Sequence, residues 1–130
     1  MKFLCLICAE KLMEQMPEAD AERHFEDYRE FTESIRKSGH FIGVNRLLPI
    51  NAATTVRVRH GKVSITDGPY AETKEQLGGY YVIEARDLQE ATAVAARIPG
   101  ARIGCVEVRP IAEDTQTLRA LGLVAQDSPR

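Results

Sequence analysis

Apolar and polar positions along the 130-residue chain alternate between two periods. Residues 2–8, KFLCLIC, form a short apolar run that reads as a buried strand. A loop with Met13, Met16 and Pro17 follows. Phe25, Tyr28, Phe31 or Thr32, and Ile35 then recur at helical spacing, while Glu22, Glu26, Arg29, Glu33 and Arg36 point outward. This predicts a long helix over residues 20–38. Gly39 is its natural stop, and Arg36 and Lys37 place positive charge in its last turn. Residues 40–48 predict a second strand, closed by Pro49. The stretches TTVRVR (54–59) and KVSIT (62–66) alternate strictly about His60-Gly61. They predict a hairpin with one apolar face, Val56, Val58, Val63 and Ile65.

The stretch TDGPYAETKEQLGGYY, residues 66–81, is the densest in turn formers, charges and rings. Asp67-Gly68-Pro69 predicts a fixed turn in which the Asp side chain bonds its own backbone two residues on. Thr73 to Gln76 has the spacing of a capping box and predicts a single helical turn, ended by Gly78-Gly79. A strand over residues 79–85 then sends Tyr80 and Tyr81 to opposite sheet faces. Asp87-Leu-Gln-Glu90 starts a second helix with a capping-box pattern. That helix runs to about residue 98 on a stripe of Ala91, Val94, Ala95 and Ile98, and Pro99-Gly100 stops it. Residues 102–109 predict the last strand. Beyond Pro110 the chain turns polar, with Leu118, Leu121 and Leu123 marking a short docked helix before a frayed QDSPR end.

Strand, helix, strand, inserted hairpin, strand, helix, strand is the order of an α+β, ferredoxin-like fold with split β-α-β connections. Both helices cover one face of an antiparallel sheet. The other face needs a cover, and a homodimer with sheet facing sheet supplies it. Residues 1–111 are expected to form one domain and 112–130 a tail.

Composition narrows the classes. At 44% hydrophobic the chain can build an ordinary core. A net charge of −2 and a pI near 5.9 give no basic excess for nucleic acid or an anionic membrane. The pair Arg57 and Arg59 is too small a patch to change that. No segment is long enough to span a bilayer. Glu10 and Lys11 interrupt the N-terminal apolar run at once, so it reads as a strand and not a leader, and a cytoplasmic protein is expected. The three cysteines form no disulfide framework. Cys5 and Cys8 make a C-x-x-C, but inside a strand they point to opposite faces, which favours inert buried thiols over a redox or metal pair. His24, His40 and His60 are scattered, and no metal or cofactor is expected.

Three segments together resemble a known family: TTVRVR at 54–59, TDGPYAETKEQLGGYY at 66–81 and VEVRP at 106–110. They are similar to the YCII-related family, and within it to the DGPF branch, over about residues 1–111. The resemblance implies a dimeric α/β-barrel of ferredoxin-like subunits. It implies no established reaction. Some YCII-like proteins are thought to be small enzymes acting on aromatic breakdown products, and DGPF-type members are often associated with extracytoplasmic-function sigma factors, which implies a regulatory partner instead. Tyr70 stands where the branch motif has Phe. In the smaller YCII-like proteins a first-helix His is paired with an Asp in a proposed active site. Counting back from Gly39, that His falls at Tyr28, and this chain carries His24 one turn earlier.

Candidate chemistry rests on few residues. Asp67 could serve as a general base beside a cleft if burial raised its pKa, or could do no more than hold its turn. His24 and Tyr28 lie four apart on one helix face and are acid/base candidates. Against that stand a core tyrosine and a solvated histidine paired with Asp27 or Glu26. Tyr80, Glu84, Glu107, Arg109 and Arg46 could combine in a substrate pocket on the face away from the helices, or could merely pair across strands. Two functions remain in view: a small-molecule-binding or proton-transfer enzyme with its pocket near Asp67 at the dimer sheet face, and a regulatory interaction module. A ligand-binding dimer without chemistry is a third.

Overall fold

The computed structural model describes residues 1–10 and 16–124. Met13 and the terminal QDSPR lie outside the described residues. The strands are β1 (Lys2–Ala9), β2 (Phe41–Arg46), β3 (Thr54–Arg59), β4 (Lys62–Asp67), β5 (Gln76–Glu84) and β6 (Cys105–Pro110). The helices are α1 (Glu18–Lys37), α2 (Leu88–Ala95) and α3 (Thr115–Ala120), with single 3-10 turns at Ile50–Ala52 and Pro99–Arg102.

Four strands form one antiparallel sheet in the order β2-β5-β1-β6. This is the order that split β-α-β connections produce. The alternation in β1 buries Phe3 and Cys5 under the helices, where they meet Phe31 and Ile35 of α1, Tyr81 and Ile83 of β5, and Ala91, Val94 and Ala95 of α2. Ile98 closes this core. Each large aliphatic chain so buried is worth about 1.5–3 kcal/mol.

The helix ends follow local chemistry. Gly39 takes φ 82°, and the N–H groups of Gly39 and His40 return to the carbonyls of Arg36 and Ile35. That pair of bonds is a Schellman stop, which a residue with a Cβ would strain. At α2 the Asp87 carboxylate accepts from the Glu90 N–H at 2.8 Å, and the Glu90 carboxylate accepts from the Arg86 N–H at 2.9 Å. The reciprocal cap expected there is thus in place, one residue wider than the standard spacing.

The hairpin β3–β4 stands as its own two-stranded sheet. His60 and Gly61 both adopt left-handed angles, φ 52° and 74°, the requirement of a tight two-residue hairpin turn. Val56 lies opposite Ile65 and Val58 opposite Val63. All four are exposed, between 55% and 69%, so the predicted apolar face exists but is uncovered in the single chain.

Three local expectations change. Residues 73–76 form no helical turn. The Thr73 hydroxyl donates to the Glu75 carbonyl at 2.6 Å, and β5 begins at Gln76, with Gly78 and Gly79 inside the strand. Gly79 is required there because a Cβ would stand 2.9 Å from the Asn45 carbonyl of β2. The second change lies in β2, where the register slips between Phe41 and Gly43. Ile42 is an extra residue, a β-bulge, and it reverses the face of everything after it. Val44 comes opposite Tyr81 and Arg46 opposite Gly79, on the helix side of the sheet. Arg46 therefore does not join Tyr80, Glu84 and Arg109. Third, only Leu118 of the tail leucines is half-buried; Leu121 and Leu123 are exposed.

Candidate functional site

The N-terminal half of α1 crosses above the ends of β1, β2 and β5 and leaves a cleft of about 790 Å³ between itself and the sheet. That volume lies in the range that small-molecule sites occupy, roughly 300–1,000 Å³. Ile7, Phe25, Val44, Leu48 and Ile50 give it a mainly apolar wall. His24, Tyr28, Thr32 and Tyr81 supply polar groups, Asn45 and Gln76 add amides, and Glu10, Arg29 and Arg46 bring charge, the last from the end of β2.

Tyr28 is fixed from behind. Its hydroxyl oxygen accepts the Gly100 N–H at 3.1 Å. Gly100 is the residue that permits this approach, since a Cβ there would sit 2.6 Å from the Tyr28 hydroxyl and 2.6 Å from Ile7 Cγ2. Burial pushes the Tyr28 hydroxyl up to about 12, against the lowering effect of the Gly100 bond, so the phenol keeps its proton at neutral pH.

The neighbouring hydroxyls are occupied. Thr32 donates to the Tyr28 carbonyl at 2.8 Å, and its oxygen lies 2.7 Å from the Tyr81 hydroxyl. With the Thr32 proton already committed, Tyr81 must donate to Thr32. Tyr28 differs: it accepts from Gly100 and, among the described residues, its own O–H has no acceptor. It is the hydroxyl with a proton to offer in the cleft.

His24 stands one turn before Tyr28, with the rings edge to face at 5.0 Å between centroids. Burial lowers the imidazole below its ordinary value; Asp27 opposes this and Arg102 adds to it. A lowered histidine is neutral at pH 7 and can accept a proton. The His24–Tyr28 pairing expected from helical spacing is therefore present, and both face the cleft.

The charges along the cleft are unequal in their pairing. Glu10 pairs with Lys74 at 3.4 Å, and Arg29 pairs with both Glu26 oxygens at 2.5 Å. Arg46 has its guanidinium 5.5 Å from the Phe25 ring centroid and, among the described residues, has no carboxylate within ion-pair distance. Among the described residues it is the charged side chain of the cleft that has no ion pair.

The other sequence candidates lie elsewhere. Asp67 ends β4 and is exposed; among the described residues its carboxylate bonds neither its own turn nor any side chain, and it does not line the cleft. The turn is held instead by Gly68, at φ 103°, whose N–H donates to the Ala53 carbonyl at 2.8 Å and whose carbonyl accepts from the Thr55 hydroxyl at 2.7 Å. On the face away from the helices, Tyr80 accepts from Asn45 Nδ2 at 3.0 Å. Glu84 pairs with the N-terminal amine, and Arg109 pairs with Glu107. These are cross-strand and same-strand pairs, not a converging pocket. Sequence reasoning passed over Gly100, Thr32 and Phe25 as site residues. Thr32 alone carried a local signal, one turn beyond Tyr28; Gly100 and Ile7 come to Tyr28 only through the fold.

The sequence matches the YCII-related domain over residues 1–115. It is also similar to an uncharacterized protein of Rhizobium meliloti (strain 1021), at 40% identity over 93 residues, 70% of this chain and 75% of that protein. The match takes in both helices that cover the sheet, all six strands and the whole cleft wall, and the chain belongs to the YCII-related family.

Proposed function

We propose that the cleft under α1 binds a small, largely apolar organic anion, and that His24 and Tyr28 move a proton on it. The observation that carries this reading is Arg46, without an ion pair among the described residues, at a mainly apolar cleft that also holds His24 and Tyr28. Arg46 is exposed, and a cation with no ion pair among the described residues favours a carboxylate or enolate, with which its guanidinium forms a charge-assisted hydrogen bond. Neutral His24 is placed to take a proton from carbon next to the charged group. The free O–H of Tyr28 can stabilise the oxygen on which negative charge develops.

The reading is tested with a panel of aromatic and lactone carboxylates and their neutral amides, by calorimetry and by deuterium exchange at the α-carbon in D2O. Carboxylates should bind and amides should not. Arg46→Met should weaken binding about 10-fold or more, the worth of one charge-assisted hydrogen bond. His24→Gln should abolish exchange while binding survives. Equal binding of acids and amides would remove the anion; binding with no exchange in the wild type would leave a ligand-binding protein without chemistry.

Self-association is the second reading, supported by two apolar surfaces: the sheet face bearing the half-buried Leu4, Leu6 and Val82, and the exposed hairpin valines. Sedimentation of Leu6→Asp and Val58→Asp decides between the surfaces. A monomeric wild type would exclude both.

A further inference from the structure

The sheet face away from the helices carries a feature that the cleft does not use. Cys8, near the end of β1, lies directly opposite Cys105, the first residue of β6. Directly opposed residues of an antiparallel pair share a face and stand about 4.5–5.5 Å apart at Cα, inside the window of roughly 4.4–6.8 Å that a disulfide spans. The Cys105 thiol donates to Glu75 Oε1 at 3.6 Å. Gly104 draws the strands together at this point, since a Cβ there would fall 2.1 Å from the Cys8 carbonyl oxygen. Cys105 is exposed and Cys8 half-buried, whereas Cys5 is fully buried on the opposite face.

We propose that Cys8 and Cys105 are a redox pair, closed by an oxidant of the peroxide class into a reversible intrachain disulfide that clips the start of β6 to the end of β1. The exposed Cys105 sulfur attacks one peroxide oxygen, its proton passing to the Glu75 carboxylate that already accepts its bond. The O–O bond breaks, leaving a sulfenic acid on Cys105, and the departing oxygen leaves as water once protonated. Cys8 then attacks the Cys105 sulfur, the S–O bond breaks, and the Cys8 proton leaves with that oxygen as a second water. Two thiols and one peroxide become one disulfide and two waters. Burial, followed by the neighbouring Cys105 and then the charges of Glu107 and Glu75, holds the Cys8 thiol above its ordinary value, and burial and Glu75 do the same for Cys105. Both thiols therefore carry little thiolate at neutral pH and react slowly, so the pair closes under sustained oxidant and not in ordinary air. Cβ atoms across a strand pair stand about 4.5–5.5 Å apart, wider than the roughly 3.5–4.5 Å of a relaxed disulfide, so the bond forms under strain and is easily reduced.

The test is peroxide treatment of the full chain in the absence of reductant. Free thiols are then titrated in denaturant, and the linkage is mapped by mass spectrometry of peptides. Three thiols per chain should fall to one, with the Cys8 and Cys105 peptides joined and the protein migrating as a single chain on a non-reducing gel. Dithiothreitol should restore all three thiols. Cys5→Ala should still lose two thiols, and Cys8→Ser should stop at a sulfenic acid on Cys105 that dimedone traps. An unchanged count of three, a linkage that includes Cys5, or a disulfide between two chains would overturn the proposal. None of these readouts depends on what the cleft binds.

Discussion

The Gly100 N–H meets the Tyr28 hydroxyl at 3.1 Å, and the same glycine leaves no room for a methyl group beside that oxygen. One residue of a 3-10 turn thus both holds the phenol and sets its distance from the sheet. Gly100→Ala is expected to cost about 1–3 kcal/mol, the usual range for overpacking a filled site. Urea unfolding checks this. Tyr28→Phe removes one of the two clashes while Ile7 keeps the other, so the double variant should be more stable than the sum of the single effects predicts.

The hydroxyls of Tyr28 and Tyr81 should separate stability from chemistry. Tyr81 is 1% exposed and donates to Thr32. Tyr81→Phe should lose about 1 kcal/mol, the net worth of a buried hydrogen bond, and leave α-carbon exchange intact. Tyr28→Phe should slow exchange at least 10-fold, because it removes the proton donor. Paired unfolding and exchange measurements on the two variants check both outcomes.

Acid should weaken the fold through His24. Its folded value lies below the ordinary 6.5 because of burial. The unfolded chain therefore binds a proton more readily, and stability rises with pH where that difference operates. The contribution is intact above pH 6.5 and is lost as pH falls below it, through the lower folded value. Unfolding midpoints at pH 8 and pH 5.5 should drop less for His24→Gln than for the wild type. An equal drop would place the acid sensitivity on other groups.

Two glycines, Gly43 within β2 and Gly104 just before β6, should behave in opposite ways. A Cβ at Gly104 would fall 2.1 Å from the Cys8 carbonyl, while one at Gly43 would meet nothing within 4 Å. Gly43→Ala should change stability by less than about 0.5 kcal/mol. Gly104→Ala should separate β6 from β1 and reduce the yield of folded protein, measured by soluble expression and thermal melting.

Asp67→Asn should change neither ligand affinity nor stability, because its carboxylate is exposed and outside the cleft. A loss of binding would place the ligand elsewhere than under α1.

The elements were legible in the sequence wherever period and punctuation agreed. The α2 stripe of Ala91, Val94 and Ala95, the Gly39 stop and the His60-Gly61 turn all stand as their local chemistry dictates, while the helix ends at Ala95 and Ile98 reaches the core from the turn beyond it. Cys5 and Cys8 also take opposite faces, as strand geometry requires. The misread places have identifiable causes. The Thr73–Gln76 spacing fits a helix cap, but pairing of β5 with β1 claims Gln76 as strand and leaves too few residues for a turn of helix. His24 and Tyr28 were legible as neighbours because both lie on one helix four residues apart, and the family resemblance had already pointed to that turn. The rest of the cleft was hidden because its pieces come from α1, β1, β2, β5 and the turn at Gly100. Local pattern says nothing about which of these ends meet.

The bulge at Ile42 gives β2 an arithmetic of its own. Every position from Gly43 to Arg46 owes its side of the sheet to that one extra residue. Deleting Ile42 would carry the Arg46 guanidinium through the sheet, from the cleft to the surface that bears Tyr80, with no change in the identity of any remaining residue. An alignment that scores Arg46 as matched across a one-residue gap in β2 would therefore equate two cations that serve opposite surfaces. In comparing relatives, the length of this strand is as informative about the ligand as the residue at its end.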